Sequence, residues 1–307
     1  MESVSKRVKA SPSKYELTSP QAVAKGAYGS IYRAVERANP HSAKLAIKRI
    51  PALEDEVGIG ATSLREISIL KEATSHANIV KLLDVETDLD LNQISLVFEW
   101  MDCDLKTFLE LQRPLSSSKR KFLMRQLTSG VHHIHSKSIF HRDLKPANVL
   151  IDTQTLQLKV ADFGLGRRYT ANRSYTRDVV SQYYRSPELL LGLREYTLAI
   201  DIWSLGCIFA ELGLRGKHLF GGAACEFDQL LKIFRALGTP REMAAGCEYF
   251  DSITFPQWPT PVKFLGKTKL PLLEQSPEQE LLKRCLELDH TKRISAKQAM
   301  EHEYFNV

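Results

Sequence analysis

The stretch His141-Arg142-Asp143-Leu144-Lys145-Pro146-Ala147-Asn148, followed further along by Asp162-Phe163-Gly164, decides how the rest of this chain is read. It supplies a base, a cation and two hard-oxygen side chains. Asp143 can accept a proton from an attacking hydroxyl, and Lys145 can stand beside the same oxygen and a transferring phosphoryl group. Asn148 and Asp162 are oxygen ligands of the kind Mg²⁺ takes together with phosphates and water. Phosphoryl transfer needs these groups, because positioning and charge neutralisation leave little covalent chemistry to the protein. One aspartate alone would signify only a turn or a helix cap. A full motif plus a second one at matching distance goes well beyond that.

The chain around these motifs has 307 residues. Above about 250–300 residues chains tend to divide, so two lobes are expected. A hydrophobic content of 43% and a charged content of 25% exclude a disordered or fibrous protein. Lys and Arg number 42 against 36 Asp and Glu, a net charge of +6 that reads as a mixed solvated surface and implies no nucleic-acid partner. Lys6, Arg7, Lys9 and Lys14 make residues 1–14 a locally basic tail. The cysteines, Cys103, Cys207, Cys225, Cys247 and Cys285, are odd in number and widely spaced, without a C-x-x-C pair, so neither a disulfide framework nor a zinc site is expected. With no apolar leader and no apolar run near the roughly 18 residues that span a bilayer, the expectation is nucleus or cytoplasm and no membrane partner.

From Tyr15 to about Phe98, short apolar runs such as Leu45-Ala46-Ile47 and Ile94 to Phe98 predict a small sheet carrying one helix. The helix is expected from about Thr62 to Ala73, with Thr62 as its cap and Leu64, Ile67 and Leu70 on the buried face. From about Leu105 the periods lengthen, as in Phe122, Leu127, Val131 and Ile134 and again from Ile200 to Leu212, so the second half is mainly helical. Two short strands, Val149 to Ile151 and the alternating Leu156, Leu158 and Val160, should hold Asn148 and Asp162 close together. Domains are therefore expected at 1–14 (tail), 15–98 (N-lobe), 99–104 (hinge) and 105–307 (C-lobe), with an insertion loop at Asp88 to Asn92.

The turn Lys25-Gly26-Ala27-Tyr28-Gly29-Ser30-Ile31 lets backbone amides approach phosphates where glycine has no Cβ. Alone it could be any hairpin. Downstream, Lys48 in Leu45-Ala46-Ile47-Lys48 can aim its charge at the phosphates while Glu66 on the helix pairs with it. Taken by themselves Lys48 and Glu66 would read as an unrelated surface pair; beside Asp143 and Asp162 the functional reading prevails.

With these residues in place the chain resembles a eukaryotic protein kinase from Tyr15 to about Phe305, and within that superfamily it is most similar to the cyclin-dependent kinases. Ser186-Pro187-Glu188 resembles the Ala-Pro-Glu signature, Asp201-Ile202-Trp203-Ser204-Leu205-Gly206 resembles the helix F signature, and Arg293 lies where the family pairs an arginine with that glutamate, here Glu188. Gly60-Ala61-Thr62-Ser63-Leu64-Arg65-Glu66 is similar to the PSTAIRE-type helix that docks a cyclin. Tyr183-Tyr184-Arg185, Leu189-Leu190-Leu191-Gly192 and Phe234-Arg235-Ala236-Leu237-Gly238-Thr239-Pro240 are similar to further stretches of that family. Two positions depart from it: the first loop glycine falls at Ala24, and Gly60 stands where proline is the best-known choice.

The resemblance implies an α+β, two-lobed protein kinase fold, with a small β-rich N-lobe bearing one regulatory helix and a larger, mainly helical C-lobe. It implies ATP and Mg²⁺ as cofactors, with Asp143, Lys145, Asn148, Asp162, Lys48 and Glu66 catalytic and Asn148 and Asp162 on the metal. Ala24, Lys25, Gly26, Ala27, Tyr28 and Gly29 would cover the phosphates. The hinge backbone at Glu99 and Met101 would bond adenine, Phe98 would lie behind it and Asp104 near the ribose, between apolar walls from Val23, Ile31, Ala46 and Leu150. In an activation segment spanning 162–188, Thr176 aligns with an activating threonine. Its phosphate would carry roughly −1.5 to −2 charges and meet Arg65, Arg142 and Arg167. Tyr28 aligns with an inhibitory tyrosine, while Ala27 replaces the neighbouring inhibitory threonine. Lys145 is similar to the lysine of serine/threonine kinases, and Val179, Val180 and Arg185 match the pocket that follows the phosphoacceptor in proline-directed ones. The partners implied are a cyclin-type subunit and proteins with Ser/Thr-Pro sites. Two rivals are a cyclin-independent kinase of the mitogen-activated type, which usually carries Thr-x-Tyr where Tyr175-Thr176 stand adjacent here, and a pseudokinase, which would have lost Lys48, Asp143 or Asp162.

Overall fold

A computed structural model of the chain describes residues 13–26, 29–41, 44–51, 60–88, 93–111, 114–176, 179–243, 247, 249–250, 252–261 and 276–306. Most of the basic tail, the loop at 89–92 and the loop residues Ala27 and Tyr28 lie outside the described residues. The described residues fall into two compact units, one within Met1–Ser75 and Val80–Met101, the other within His76–Ile79 and Asp102–Val307. The fold is mixed α+β, with a curled sheet in the first unit and helices in the second.

In the first unit the short apolar runs become antiparallel strands: β1 (Tyr15–Leu17), β2 (Ala24–Gly26), β3 (Gly29–Glu36), β4 (Leu45–Pro51), β5 (Leu82–Asp88) and β6 (Gln93–Glu99). They pair in the order β1-β3-β4-β6-β5, with β2 folded back on β3. Ala34, Leu45, Ile47 and Val97 form a core on which Tyr15 and Leu17 pack. Gly29 has a φ of +131°, and a Cβ there would lie 2.2 Å from the Arg49 carbonyl oxygen, so the hairpin between β2 and β3 admits only glycine at that point.

The helix α1 (Ala61–Ala73) corrects two expectations. Gly60 occupies its N-cap without any side-chain hydrogen bond, so Thr62 is not the cap. Its buried positions are Glu66, Ile69, Leu70 and Ala73, whereas Leu64 is 52% exposed. Spacing by threes slips about 60° per step around a helix of 3.6 residues per turn, and Leu64 and Leu70 therefore cannot share a face. A stripe must mix steps of three and four.

The second unit contains β7 (Cys103–Asp104), α2 (Leu105–Leu111), α3 (Ser117–Ser136), β8 (Ile139–Phe140), β9 (Val149–Ile151), β10 (Leu158–Val160), β11 (Arg167–Arg168), α4 (Pro187–Leu190), α5 (Ala199–Gly213), α6 (Glu226–Leu237), α7 (Pro277–Cys285) and α8 (Ala296–Met300). Strands pair as β10-β9-β7 and as β11-β8. Ser116 caps α3 by accepting the Lys119 amide at 3.3 Å. Leu123, Met124, Leu127, Val131 and Ile134 fill its buried stripe; Phe122, expected there, is 49% exposed. The strand expected from Leu156 begins only at Leu158, because Leu156 adopts a φ of 58° in the preceding turn. Helix α5 is buried on every side from Ile200 to Leu212, as a helix at the centre of a large helical unit must be.

Candidate active site

The loop between β8 and β9 is held from below by Asp201 of α5. Its Oδ2 accepts the His141 amide at 2.8 Å and its Oδ1 accepts the Arg142 amide at 2.9 Å, while His135 Nε2 stands 3.0 Å from Oδ2. Burial alone would raise the Asp201 pKa, but the His135 contact and then His141 hold it below the ordinary carboxylate value. The pinned backbone lets Arg142 keep a φ of +66°, a conformation side-chain-bearing residues seldom adopt. His141 Nε2 lies 2.9 Å from the Ala161 carbonyl and its ring packs on Phe163, tying the first motif to the second.

Four groups converge above this platform. Asp143 Oδ2 accepts from Lys145 Nζ at 2.7 Å and from Asn148 Nδ2 at 2.9 Å. The other oxygen, Oδ1, accepts from the Ser181 amide at 3.1 Å and from the Ser181 hydroxyl at 3.0 Å, and Lys145 also donates to Ser181 Oγ at 3.0 Å. Ser181 was not anticipated from the sequence. No motif marks it, and its only signal is its place just before Tyr183-Tyr184-Arg185.

Asn148 Nδ2 donates a second time to the Asp143 carbonyl at 2.8 Å, so the amide nitrogen is committed and Oδ1 is the atom left to meet a cation. The Ala161 amide donates to the Asn148 carbonyl at 2.9 Å, and Val149 faces Val160 across β9 and β10, which sets Asp162 beside Asn148 as expected. Asp162 itself has a φ of 60°. An amide oxygen next to a carboxylate is a donor set that fits Mg²⁺ when phosphates complete the shell.

In the first unit Lys48 Nζ stands 2.6 Å from Glu66 Oε1, and both side chains are buried. This is no surface pair. Across the strands Ile31 and Leu96 are partners of Lys48, while Phe98 is the partner of Ala46, so these residues share one sheet face with the lysine. Val23, whose amide donates to the Ile31 carbonyl at 2.7 Å, is 58% exposed and Ile31 36% exposed. Exposed aliphatic side chains beside a strand lysine fit a planar ring joined to phosphates. Ala24 sits in regular β2 pairing opposite Ile31 and Lys25 opposite Ser30, so the alanine is accommodated without distortion. Glu99 Oε1 accepts the Lys81 amide at 2.7 Å, and Met101 is half-buried at the end of the unit. In the second unit Asp104 Oδ1 accepts the Thr107 amide at 2.8 Å, capping the first turn of α2, and Leu150 pairs with Asp104 on β9.

The segment after Phe163-Gly164 is anchored by aromatic rings. Tyr175 is 6% exposed, packs on Phe140 and Tyr196, and its hydroxyl accepts the Thr170 amide at 2.7 Å. Thr176 is exposed. The Tyr196 hydroxyl donates to the Thr176 carbonyl at 2.8 Å and accepts from Arg142 Nη1 at 3.0 Å, while Arg142 Nε donates to the Leu165 carbonyl at 2.7 Å. Burial raises the Tyr196 phenol, and the Arg142 and Arg167 charges pull it back; through the Tyr196 hydroxyl Arg142 stands one bridge away from the Thr176 carbonyl. Arg65, the third arginine expected there, belongs to α1 of the first unit.

Val180 has a φ of 66°, and its carbonyl accepts from Arg185 Nε at 3.2 Å and Nη2 at 3.0 Å; Arg185 is in turn paired with Glu226. Arg293 grips Glu188 through two parallel bonds of 2.7 and 2.9 Å, the buried pair expected from the sequence. Burial opposes ionisation of Glu188, but the guanidinium outweighs it and holds the carboxyl below its ordinary range.

A base bonded to a lysine, a paired amide and carboxylate, and a strand lysine locked to a helix glutamate define a protein kinase. Residues 17–305 match the family model of the protein kinase domain. The chain is 41% identical over 294 residues to cyclin-dependent kinase B2-2 of Arabidopsis thaliana, covering 92% of this chain and 91% of that protein. It is 40% identical over 295 residues to cyclin-dependent kinase B2-1 of Oryza sativa subsp. japonica, covering 92% and 88%. The chain belongs to the protein kinase family and, within it, to the serine/threonine kinases of the cyclin-dependent kinase family.

Proposed function

We propose that this kinase transfers the terminal phosphate of ATP to a serine or threonine followed by proline, and that a cyclin-type partner and phosphorylation of Thr176 switch it on. Asp143 receives the proton of the incoming hydroxyl, and Lys145, at 2.7 Å from that carboxylate, stands ready to neutralise charge on the transferring group. Ser181 keeps both side chains in register. Asn148 and Asp162 would hold Mg²⁺, which when bound neutralises and orients the phosphates. Lys48 and the β2–β3 turn serve the phosphates, Val23, Ile31, Ala46, Phe98 and Leu150 the adenine, and Glu99, Met101 and Asp104 its polar edge and ribose.

The proline preference rests on Val180. Its carbonyl is already taken by Arg185. A residue after the phosphoacceptor that brought an N–H there would find no acceptor, and a buried unpaired donor is costly; proline brings none. For the partner, the supporting feature is the outward Leu64 on α1, an apolar side chain 52% exposed two residues before the buried ion-paired Glu66 and so on the opposite side of the helix. For the switch it is exposed Thr176, whose carbonyl is bridged to Arg142 by the Tyr196 hydroxyl. The rival of the mitogen-activated type would modify a tyrosine in this segment, yet Tyr175 is buried with its hydroxyl engaged.

Peptide phosphorylation tests the reading. A Ser-Pro peptide should be turned over at least about tenfold faster than its Ser-Ala counterpart, only with a cyclin-fold protein present, and far more slowly by Thr176→Ala. Equal rates on the two peptides, or full activity of the isolated unmodified chain, would refute it.

A further inference from the structure

The residues that follow Val180 are gripped from behind, one after another, by the stretch running from the end of α5 to the start of α6. Gln182 Nε2 donates to the Ala223 carbonyl at 3.3 Å. The Tyr183 ring lies on the His218 imidazole with centroids 4.7 Å apart. The Tyr184 hydroxyl donates to Glu211 Oε2 at 3.1 Å and stands 3.1 Å from His218 Nδ1, which lies 3.0 Å from Glu211 Oε1. Arg185 pairs with Glu226.

His218 is the member that joins this grip together. One ring contacts two consecutive tyrosines and bonds the buried carboxylate that Tyr184 also uses. Glu211, 2% exposed, is pushed up by burial and drawn back by His218 and Tyr184, so the carboxylate depends on these two donors. Gly221 packs against this residue so closely that a Cβ there would lie 2.9 Å from the His218 Cβ. Nothing in the chemistry of phosphoryl transfer uses His218.

We propose that His218 is a positioning residue for protein-substrate recognition: through Tyr183, Tyr184 and Glu211 it fixes the backbone from Tyr183 to Arg185, and with it the guanidinium that occupies the Val180 carbonyl. The proposal rests on the proline-pocket reading for what that backbone recognises. It does not rest on that reading for the effect on substrate affinity.

Steady-state kinetics of the active kinase with Ser-Pro and Ser-Ala peptides tests it. His218→Phe keeps a ring against Tyr183 and removes the nitrogen; His218→Asn restores a donor near the place of Nδ1. The expected result for His218→Phe is an about tenfold higher KM for the Ser-Pro peptide, a smaller Ser-Pro to Ser-Ala ratio, and kcat and KM for ATP within about twofold of the original. His218→Asn should recover most of the loss. Unchanged peptide KM in His218→Phe would overturn the proposal. So would an equal fall in kcat and in ATP and peptide affinity that Asn does not rescue, since that is the mark of a general structural defect. Should the original kinase show no preference for proline, the proline reading fails, while the shift in peptide KM still decides the role of His218.

Discussion

Ser181 contributes more to the geometry of the site than its position in the sequence suggests. Its amide and hydroxyl hold one oxygen of Asp143, and its hydroxyl also receives Lys145. Removing the hydroxyl deletes one hydrogen bond to each of two charged groups, and such bonds contribute about 1.5–3 kcal/mol apiece. Ser181→Ala should therefore lower kcat about tenfold or more with little change in KM for ATP, and Ser181→Thr should restore it; a normal kcat in the alanine variant would show that Asp143 needs no such support. Asp143, Lys145 and Asn148 were legible in the sequence because they lie within one short turn whose internal spacing sets their geometry. Ser181 was not, since only the fold brings it back to that turn.

At the scale of the element, α1 has one buried and one exposed face. Glu66, Ile69, Leu70 and Ala73 point inward, and Leu64 outward. Leu70→Ala should cost about 2–5 kcal/mol of stability through lost burial and a cavity. Leu64→Asp should change stability by no more than about 0.5 kcal/mol yet abolish activation by a cyclin-type partner. Thermal melts of the free chain alongside activity with partner separate the two, and a normally activated Leu64→Asp would remove this helix from the docking surface. The helix itself was evident from its apolar content. Its face was misread at Leu64, as was that of α3 at Phe122, because a count by threes drifts around the helix while burial is set by what the neighbouring elements cover.

The whole molecule carries buried charges that couple its stability to acid. The folded-state pKa values of Glu188 and Asp201 both lie below their ordinary values of 4.5 and 3.8 despite burial, Glu188 chiefly through Arg293 and Asp201 through His135 and His141. Groups shifted in this direction contribute stability that is present above the unfolded pKa and lost as pH falls through the folded one. The melting temperature should hold near neutrality and fall once pH drops below about 4.5. Replacing the buried pair together, Glu188→Gln with Arg293→Met, should flatten part of that decline, whereas an unchanged acid profile would show that the pair does not contribute to it. Single replacement of Arg293 should be far more damaging, by about 3–5 kcal/mol, because it strands a buried carboxylate.

The order of strands and helices and the identity of the reacting groups follow from local pattern alone: apolar period chooses strand or helix, and a base, a lysine and a metal-ligating amide packed into one turn can serve few chemistries. Contacts distant along the chain follow different rules. Asp201 beneath the reactive loop, Ser181 against Asp143, and His218 behind two tyrosines depend on which surfaces meet after folding. That choice belongs to side-chain packing in three dimensions, where a buried polar atom must find its partner wherever the chain has carried it.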